Sequence, residues 1–390
     1  MLPLAGVKII ELSTFITGPY AGMLLADMGA DVIKIERPDG GDPFRGYDQG
    51  NYSPQYCAFN RNKRSMTLDL GNNEAREILF KLVAEADAVI ENFRPGVTDR
   101  LGVGEAALRR INPELIYCAI SGFGNDGPYK NRPAYDTIAL GFGGLLGQLI
   151  DPGHPLIPGP ALADNITGLY AALCISNALV GKRKTGRGSR IDVTMLEAII
   201  AFSAEPFSQF LATGDVPTTY KRATISQSYV FKCADEKLIA IHLSSPEKFW
   251  EGLVAAVGRI DLAKSELFST RERRIANFDE LRRELETVFE TKPRDYWMAC
   301  LEEKDVPVAP VYGLDEVIAD PQVQHLDMFA ELEHPTMGKV EALKPPFSFN
   351  GKRIDSVSRP PELGEHTASI LNNLGYVAKD VEGLRARGVV

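Results

Sequence analysis

Short apolar runs alternate with amphipathic segments along the first 120 residues of the chain. The apolar runs are bounded by polar or glycine-containing turns and predict four strands, over residues 7–12, 31–36, 87–91 and 115–120. Between them, apolar residues recur at helical spacing over residues 18–28, 74–86 and 104–111. This alternation predicts an α/β fold, with a Rossmann-like large domain whose mostly parallel sheet is covered by helices on both faces.

A longer apolar run, rich in Ala, Leu and Ile, extends from Leu169 to Val180 and predicts a buried helix that ends in the basic, glycine-punctuated segment 181–188. Asp164 stands just before this run, at the position of an N-cap that would accept a hydrogen bond from a free backbone N–H. A carboxylate at the start of a buried helix can also act as a nucleophile. The local sequence is compatible with both interpretations. A short strand is predicted next, over residues 190–195.

The second half of the chain is more charged. A long helix is predicted over residues 196–213, followed by a strand pair at 228–232 and 238–242 and by helices at 246–257 and 278–289. The tail is rich in proline up to Pro361 and then predicts one helix, residues 366–374. We therefore predict a large domain over residues 1–215, a smaller α+β domain over 220–325 and a C-terminal part over 331–390.

Composition narrows the classes of partner. A net charge of −9 over 390 residues argues against nucleic acid. The five cysteines are scattered, with no CxxC pair and no Cys/His cluster, so we expect no metal site and a reduced, cytoplasmic setting. No signal peptide is predicted. The most apolar segment, residues 137–150, is interrupted by glycines and too short to span a membrane, so no membrane partner is expected.

The loops that follow the predicted parallel strands are the expected ligand-binding regions, because ligands bind beyond the carboxyl ends of such strands. These loops are residues 13–19, 36–46, 91–102 and 121–136. No GxGxxG motif follows the first strand, so a nicotinamide cofactor is not expected. Basic residues cluster against the acidic background, as a solvated face or as a site for a polyanionic ligand, and several of them lie in or beside these loops: Lys34, Arg37, Arg45, Arg61, Lys63, Arg64, Arg94, Arg100, Lys130 and Arg132.

Motifs spread over the whole chain resemble those of the family III CoA-transferases. They lie, in order, at residues 18–21 (GPYA), 32–37 (VIKIER), 60–65 (NRNKRS), 91–96 (ENFRPG), 132–136 (RPAYD), 163–164 (AD), 184–188 (KTGRG) and 364–367 (GEHT). The resemblance implies a large domain built from both ends of the chain, a small inserted domain and an interlocked homodimer. It also implies that coenzyme A and acyl-CoA are substrates, with no permanently bound cofactor.

The resemblance implies that Asp164 is the nucleophile, which attacks an acyl-CoA thioester and then carries CoA to a small carboxylic acid as an aspartyl-CoA thioester. It also implies that Arg37 and Arg100 contact CoA. Lys63, Arg94 and Lys130 of the basic cluster are further candidates for that contact. Three residues are expected to line the acyl pocket: Ile16, Tyr135 and Asp136.

Two departures from formyl-CoA transferase argue against formate and oxalate and leave room for a larger acid. Ile16 replaces a glutamine of that enzyme, and its glycine-run loop has no counterpart near residues 225–228. One alternative is an α-methylacyl-CoA racemase, but that branch carries His where Tyr135 stands, and a tyrosine with a pKa near 10 is a poor proton shuttle. The other is a non-catalytic acyl-CoA-binding or nucleotide-binding protein, which the presence of Asp164 disfavours.

Overall fold

The computed structural model describes residues 1–47, 52–157, 159–335, 337–355 and 357–390. Its strands are β1 (Lys8–Leu12), β2 (Asp31–Glu36), β3 (Arg64–Thr67), β4 (Ala88–Glu91), β5 (Ile116–Ser121), β6 (Arg190–Thr194), β7 (Ser228–Lys232), β8 (Leu238–His242), β9 (Val308–Val311), β10 (Phe329–His334), β11 (Gly338–Leu343), β12 (Ser348–Phe349) and β13 (Lys352–Arg353).

The helices connect these strands and flank the sheets. A 3-10 helix spans Pro43–Tyr47. The α-helices are α1 (Thr17–Asp27), α2 (Pro54–Cys57), α3 (Asn73–Ala84), α4 (Val97–Arg100), α5 (Glu105–Ile111), α6 (Asp136–Phe142), α7 (Leu146–Leu149), α8 (Leu162–Thr185), α9 (Met195–Phe202), α10 (Ala204–Thr213), α11 (Lys221–Ser226), α12 (Glu247–Ala256), α13 (Ile260–Lys264), α14 (Arg271–Ala276), α15 (Phe278–Phe289), α16 (Arg294–Glu303), α17 (Leu314–Ala319), α18 (Pro321–Leu326), α19 (Thr367–Asn373) and α20 (Ala378–Ala386).

A six-stranded sheet with the order β3-β2-β1-β4-β5-β6 organises the first compact unit, which consists of residues 1–208 and 327–390. Each neighbouring pair in this sheet is parallel. The order reverses between β1 and β4, which is the position where doubly wound sheets open a crevice for ligands. The predicted α/β class with a mostly parallel sheet is confirmed.

Helices cover both faces of this sheet, and successive strand residues point into two separate cores. Ile9 packs with α1 and α8, in a core that includes Leu25 and Ile175. The next residue, Ile10, packs on the opposite face with Leu79 of α3 and with the C-terminal helices α19 and α20. Strands buried on both faces explain why the apolar runs of the sequence are nearly continuous.

The second compact unit comprises residues 209–326 and is built on the antiparallel sheet β7-β8-β9. Its core joins alternating strand residues to aromatic residues of α12, α15 and α16. The Phe231 and Phe289 rings stack at 4.7 Å, and the Trp297 indole N–H donates to the Phe289 carbonyl oxygen. The predicted domain boundaries, with a large domain over residues 1–215, an α+β domain over 220–325 and a C-terminal part over 331–390 that returns to the large domain, stay a prediction.

Several elements differ from the sequence-based expectation, among them α8, the helix predicted after β6 and the C-terminal tail. α8 begins before Asp164 and ends at Thr185, and it is closed by Gly186, whose φ of 65° favours glycine. The basic residues predicted to form a turn therefore lie in the last helical turn, where they oppose the negative end of the helix dipole. The predicted helix 196–213 is two helices, α9 and α10. The tail contains β-strand pairs and a second helix, α20.

Candidate active site

A cavity of about 350 Å³ opens at the carboxyl edge of the parallel sheet. It is lined by residues from the loops after β1, β2, β4 and β5, by the first residue of α9 and by Asp164 of α8. All four loops expected to form a site therefore meet here, because the carboxyl ends of parallel strands share one edge. The lining residues are Thr14, Phe15, Ile16, Thr17, Phe44, Tyr47, Asn92, Phe93, Arg94, Pro95, Ile120, Ser121, Gly122, Phe123, Lys130, Arg132, Ala134, Tyr135, Asp164 and Met195.

Asp164 is the third residue of α8 and does not cap the helix. The residue before the helix is Ala161, whose side chain accepts no capping hydrogen bond. The cap comes instead from Asp136, the first residue of α6. Its Oδ1 accepts the Ala163 N–H at 2.7 Å and the Asp164 N–H at 3.3 Å. The local N-cap interpretation was wrong because a remote carboxylate satisfies the free N–H groups of the helix.

The Asp164 carboxylate is partly buried and faces the cavity. Burial, and secondarily the negative charge of Asp136, raise the pKa of Asp164 to about 7. Within the described parts of the chain, no Lys, Arg or His nitrogen lies within ion-pair distance of this carboxylate. A carboxylate with little solvation and no cation partner can act as a nucleophile when it ionises.

Gly168 allows α8 to approach α1 closely beside this site. A Cβ at Gly168 would lie 2.8 Å from the Thr17 carbonyl oxygen and 3.0 Å from the Tyr20 ring. The first turn of α8 thus packs directly against the start of α1. This contact brings the α8 carboxylate and the loop after β1 to one cavity.

Aromatic side chains form one wall of the cavity. The Phe15 ring makes edge contacts with the rings of Phe44 at 5.2 Å and Tyr135 at 6.3 Å. Tyr135 is 64% exposed and Ile16 is partly buried. Both line the cavity, as expected. Asp136 does not appear among the lining residues; it acts on the helix start instead.

Positive charge reaches the same cavity through Arg94, Lys130 and Arg132. The Arg132 guanidinium lies 4.6 Å from the centre of the Tyr129 ring, a cation–π contact that holds it at the rim. Arg94 and Lys130 are exposed. These cations are available to an anionic ligand.

A second cavity of about 330 Å³ shares Thr14 and Phe93 with the first. Arg37 lies on its wall, together with residues 41–43 and 68–71. Arg100 is exposed at the end of α4 and lines neither of these two cavities. The structure therefore brings Arg37, but not Arg100, to the edge of the site.

Lys63 belongs to a buried charge network, not to a ligand surface. Its ammonium group is fully buried and contacts Glu11 at 2.8 Å, the Pro19 carbonyl oxygen at 2.7 Å and Asn60 at 2.8 Å. Lys34, equally buried, joins Glu11 at 3.0 Å to Asp42 at 2.9 Å. Burial lowers the pKa of Lys63 to about 8. The predicted contact between Lys63 and CoA is not supported, because its donors are already bonded.

Two arginines of the basic cluster are likewise committed to structure. Arg45 binds Glu36 at 2.6 Å and Arg61 binds Asp27 at 2.6 Å, and all four side chains are nearly inaccessible. Part of the cluster is thus neither a solvated face nor a ligand site. Sequence spacing gave no sign of this, since the acidic partners come from other strands and helices.

Among the lining residues that were not singled out from the sequence as site candidates, Asn92 and Phe15 make contacts that shape the cavity. Asn92 accepts from the Thr14 N–H at 2.9 Å and donates to the Thr14 carbonyl oxygen at 2.7 Å, which joins the loops after β4 and β1. Phe15 lies beside Ile16 on the aromatic wall. Only the motif at residues 91–96 could have pointed to Asn92, and no pattern pointed to Phe15.

Comparisons with known proteins identify the family of the chain. The family model described as CoA-transferase family III matches residues 4–367. The chain belongs to CoA-transferase family III. The predicted family and the prediction of an enzyme are therefore confirmed.

Named relatives of the family III chain match it over nearly their full length. A succinate–glutarate CoA-transferase of Agrobacterium fabrum is 36% identical, over 97% of this chain and 97% of its own. The human succinyl-CoA:glutarate CoA-transferase is 33% identical, over 100% of this chain and 90% of its own. A CAIB/BAIF family protein structure from Brucella suis has a TM-score of 0.85 at 35% identity, covering 96% and 99% of the two chains.

The described residues contain no group of three or more His, Cys, Asp or Glu side chains arranged to hold a metal ion. Within the same residues, no helix is both long and apolar enough to cross a membrane.

Proposed function

We propose that this enzyme moves CoA from an acyl-CoA donor to a dicarboxylic acid acceptor through covalent intermediates on Asp164. The observation that carries the proposal is the Asp164 carboxylate itself. It faces the cavity, lacks a cation partner among the described residues and has its pKa raised to about 7. A cap or a structural ion pair would not need this arrangement.

The exchange requires no water and no external oxidant or reductant. An Asp164 oxygen attacks the donor thioester carbonyl, and the C–S bond breaks to give a mixed anhydride and CoA thiolate. The thiolate attacks the aspartyl carbonyl, releasing the donor carboxylate and leaving an aspartyl-CoA thioester. The acceptor carboxylate then attacks that thioester, and the released thiolate attacks the acceptor acyl carbon, which restores Asp164.

Exclusion of water protects the anhydride from hydrolysis. The helix start adds a second contribution, since the positive end of the α8 dipole lies beside the reacting carboxyl group and favours developing negative charge. Asp136 occupies the Ala163 and Asp164 N–H groups and so orients this turn. We propose Asp136 as a positioning residue instead of a pocket wall.

CoA is proposed to occupy the second cavity and to extend its thiol toward the first. The two cavities share Thr14 and Phe93, so one extended ligand can follow both. Arg37 is the proposed phosphate contact there, and Arg100 is a proposed outer contact on the exposed surface. Lys63 is not among the proposed CoA contacts, because its ammonium group is buried and already bonded.

A dicarboxylic acceptor is supported by charge and by the relatives. Arg94, Lys130 and Arg132 offer cations for a carboxylate remote from the reacting one. Ile16 adds an apolar contact suited to methylene groups. Two relatives are named for succinyl-CoA or succinate together with glutarate.

A homodimer is also proposed. Leu169, Leu173 and Val180 lie along α8 and are 50%, 57% and 52% exposed. Their spacing places them near one another on a helix surface, and Phe202 of α9 is 58% exposed. Exposed apolar groups of this size are typical of interfaces. Light scattering coupled to size exclusion tests the proposal, and a monomer at micromolar concentration would contradict it.

A reduced, cytoplasmic setting remains a proposal as well. The cysteines at positions 57, 118, 174, 233 and 300 are all free thiols, as expected for a chain that folds without disulfides.

The proposed chemistry is tested by trapping the intermediate. The enzyme is incubated with succinyl-CoA and then treated with hydroxylamine or borohydride, and the modified peptide is identified by mass spectrometry. We expect the modification on Asp164 and none in Asp164→Asn. A labelled residue elsewhere, or turnover without any labelled peptide, would show that the proposed nucleophile is incorrect.

A further inference from the structure

We propose that Phe15 determines which acyl groups the cavity accepts, and that Asp42 is the residue that holds the Phe15 ring in position. This inference rests on the proposed CoA transfer and adds a selectivity determinant to it. Neither residue was a site candidate from the sequence.

The backbone at Phe15 adopts an uncommon conformation. Phe15 lies in the turn between β1 and α1 with a φ of 63°, in the left-handed region that favours glycine. A bulky residue persists there when its surroundings impose the conformation, and such residues concentrate at functional sites. The relevant question is therefore which contacts impose it.

Asp42 supplies the principal contact. Its Oδ1 accepts the Phe15 N–H at 3.2 Å and the Phe44 N–H at 3.0 Å. The other carboxylate oxygen pairs with Lys34 at 2.9 Å, and both side chains are fully buried. Lys34 is also paired with Glu11. The Asp42 carboxylate, which binds the turn, is therefore held in place by a buried network of ion pairs.

Asn92 fixes the preceding residue. Its side-chain amide both accepts from the Thr14 N–H and donates to the Thr14 carbonyl oxygen. The turn is thus held on one side by the loop after β4 and on the other by Asp42. Little freedom remains for the backbone that carries the Phe15 ring.

The ring projects into the aromatic wall. It meets Phe44 and Tyr135 edge to face, with interplanar angles of 87° and 89°. All three rings line the same cavity of about 350 Å³ as Asp164. An acyl group whose thioester carbon lies at Asp164 must therefore share this volume with the Phe15 ring, which limits the length and branching of the chain.

The decisive variant is Phe15→Gly, because glycine suits the observed φ and removes the ring. We measure kcat/KM for succinyl-CoA and for a longer donor, adipyl-CoA, with one acceptor. The kcat/KM for adipyl-CoA divided by that for succinyl-CoA is expected to rise at least about tenfold, because each methylene group in an apolar pocket contributes roughly that much discrimination between substrates. Phe15→Leu is expected to give an intermediate ratio.

Asp42→Asn tests the positioning role. The amide oxygen can still accept the two N–H groups, but the charge pairing with Lys34 is lost. We expect a smaller shift of the ratio in the same direction. The double variant Phe15→Gly/Asp42→Asn should shift it no further than Phe15→Gly alone, since Asp42 acts through the ring.

Glu236→Gly is the matched control. Glu236 has a φ of 65° in the turn between β7 and β8 and does not line the cavity. It reports the effect of placing glycine at a left-handed position, and the donor ratio should stay at the wild-type value. Thermal denaturation confirms that each variant is folded.

A ratio within twofold of wild type in both Phe15 variants, with transfer retained, would overturn the inference. An equal fall in kcat/KM for both donors would also overturn it, because the ring would then assist the chemistry without selecting the donor. If the wild-type enzyme forms no Asp164 adduct, the proposed function is contradicted instead. The trapping experiment therefore tests the proposed function, and the donor ratio tests the role of Phe15.

Discussion

Two groups of charged side chains in the first unit, one fully buried and one partly buried, show opposite arrangements. Under the loops after β1 and β2, the Glu11, Lys34, Asp42 and Lys63 side chains are all fully buried and each carries an opposite charge as a neighbour. At the start of α8, Asp136 and Asp164 are two carboxylates without a cation between them. Burial of the Asp164 carboxyl group and the negative charge of Asp136 both raise the pKa of Asp164.

The difference separates structural charge from reactive charge. In the network, burial is compensated by pairing, so the groups hold loops in place and have no donor or acceptor left for a ligand. At α8, burial is not compensated for Asp164, so its ionised form is poorly stabilised and remains reactive. The same residue types therefore serve two purposes, according to which partners tertiary structure brings to them.

The strongest test of the reactive pair is Asp164→Asn. We expect transfer to fall by roughly 10³-fold or more, as for the loss of other covalent nucleophiles. Because Asp164 makes no capping bond, the helix should form as before. Steady-state transfer with succinyl-CoA measures the effect. Asp279→Asn, in the first turn of α15, is the matched control and should retain activity; an active Asp164→Asn would contradict the comparison.

The structural network is tested by Lys34→Met. Removing the cation leaves Glu11 and Asp42 buried and uncompensated, so the free energy of unfolding should fall by about 3–5 kcal/mol. Chemical denaturation measures the loss.

Lys8→Met is the matched control for Lys34→Met. Lys8 also lies on the sheet, in β1, but its ion pair with Glu85 is exposed and should contribute little. An equal loss in the free energy of unfolding in the two variants would mean that the buried ion pairs stabilise the fold no more than the exposed one.

The coupling within the reactive pair is tested by Asp136→Asn. The amide oxygen can still accept the two α8 N–H groups, but the negative charge that raises the Asp164 pKa is removed. In the wild type, the first acyl transfer should increase with pH up to about 7 as Asp164 ionises. In the variant this inflection should move to lower pH. Single-turnover rates between pH 5 and 8.5 locate the inflection. An inflection at the same pH in both proteins would exclude an effect of the Asp136 charge on the pKa of Asp164.

The smallest expected effect is a pH-dependent gain of stability in Asp164→Asn. The folded-state pKa of Asp164, about 7, exceeds the ordinary value of 3.8, so the folded chain binds the proton more tightly than the unfolded chain. The wild type therefore loses stability as the pH rises from about 4 to 7. Asn removes this loss, and Tm should exceed that of the wild type by a few degrees at pH 8 and match it near pH 4. A constant difference across pH would argue against the raised pKa.

Periodicity predicted the parallel sheet well because its strands are apolar on both faces and bounded by turn residues. Ile9 and Ile10 illustrate this, since they enter different cores. The helix start at α8 was harder to predict. Asp164 has the residue type of an N-cap, and no local signal showed that the carboxylate of Asp136 would satisfy the N–H groups 27 and 28 positions away.

The basic cluster was predicted as a group but not resolved into its members. Arg94 and Lys130 reach the cavity, whereas Lys34 and Lys63 are buried in ion pairs. In sequence all four are cations of the same basic cluster. Their acidic partners come from distant segments, so the distinction exists only after folding.

Residue type and order were enough to predict five of the six strands of the parallel sheet, the edge at which its loops meet and the family to which the chain belongs, whereas the short strand β3 was missed. Tertiary structure alone decided which charges are paired, which carboxylate caps α8 and why the Phe15 backbone is held in a left-handed conformation. Each of these depends on distances between residues far apart in the chain, and burial makes those distances decide whether a charge is structural or reactive.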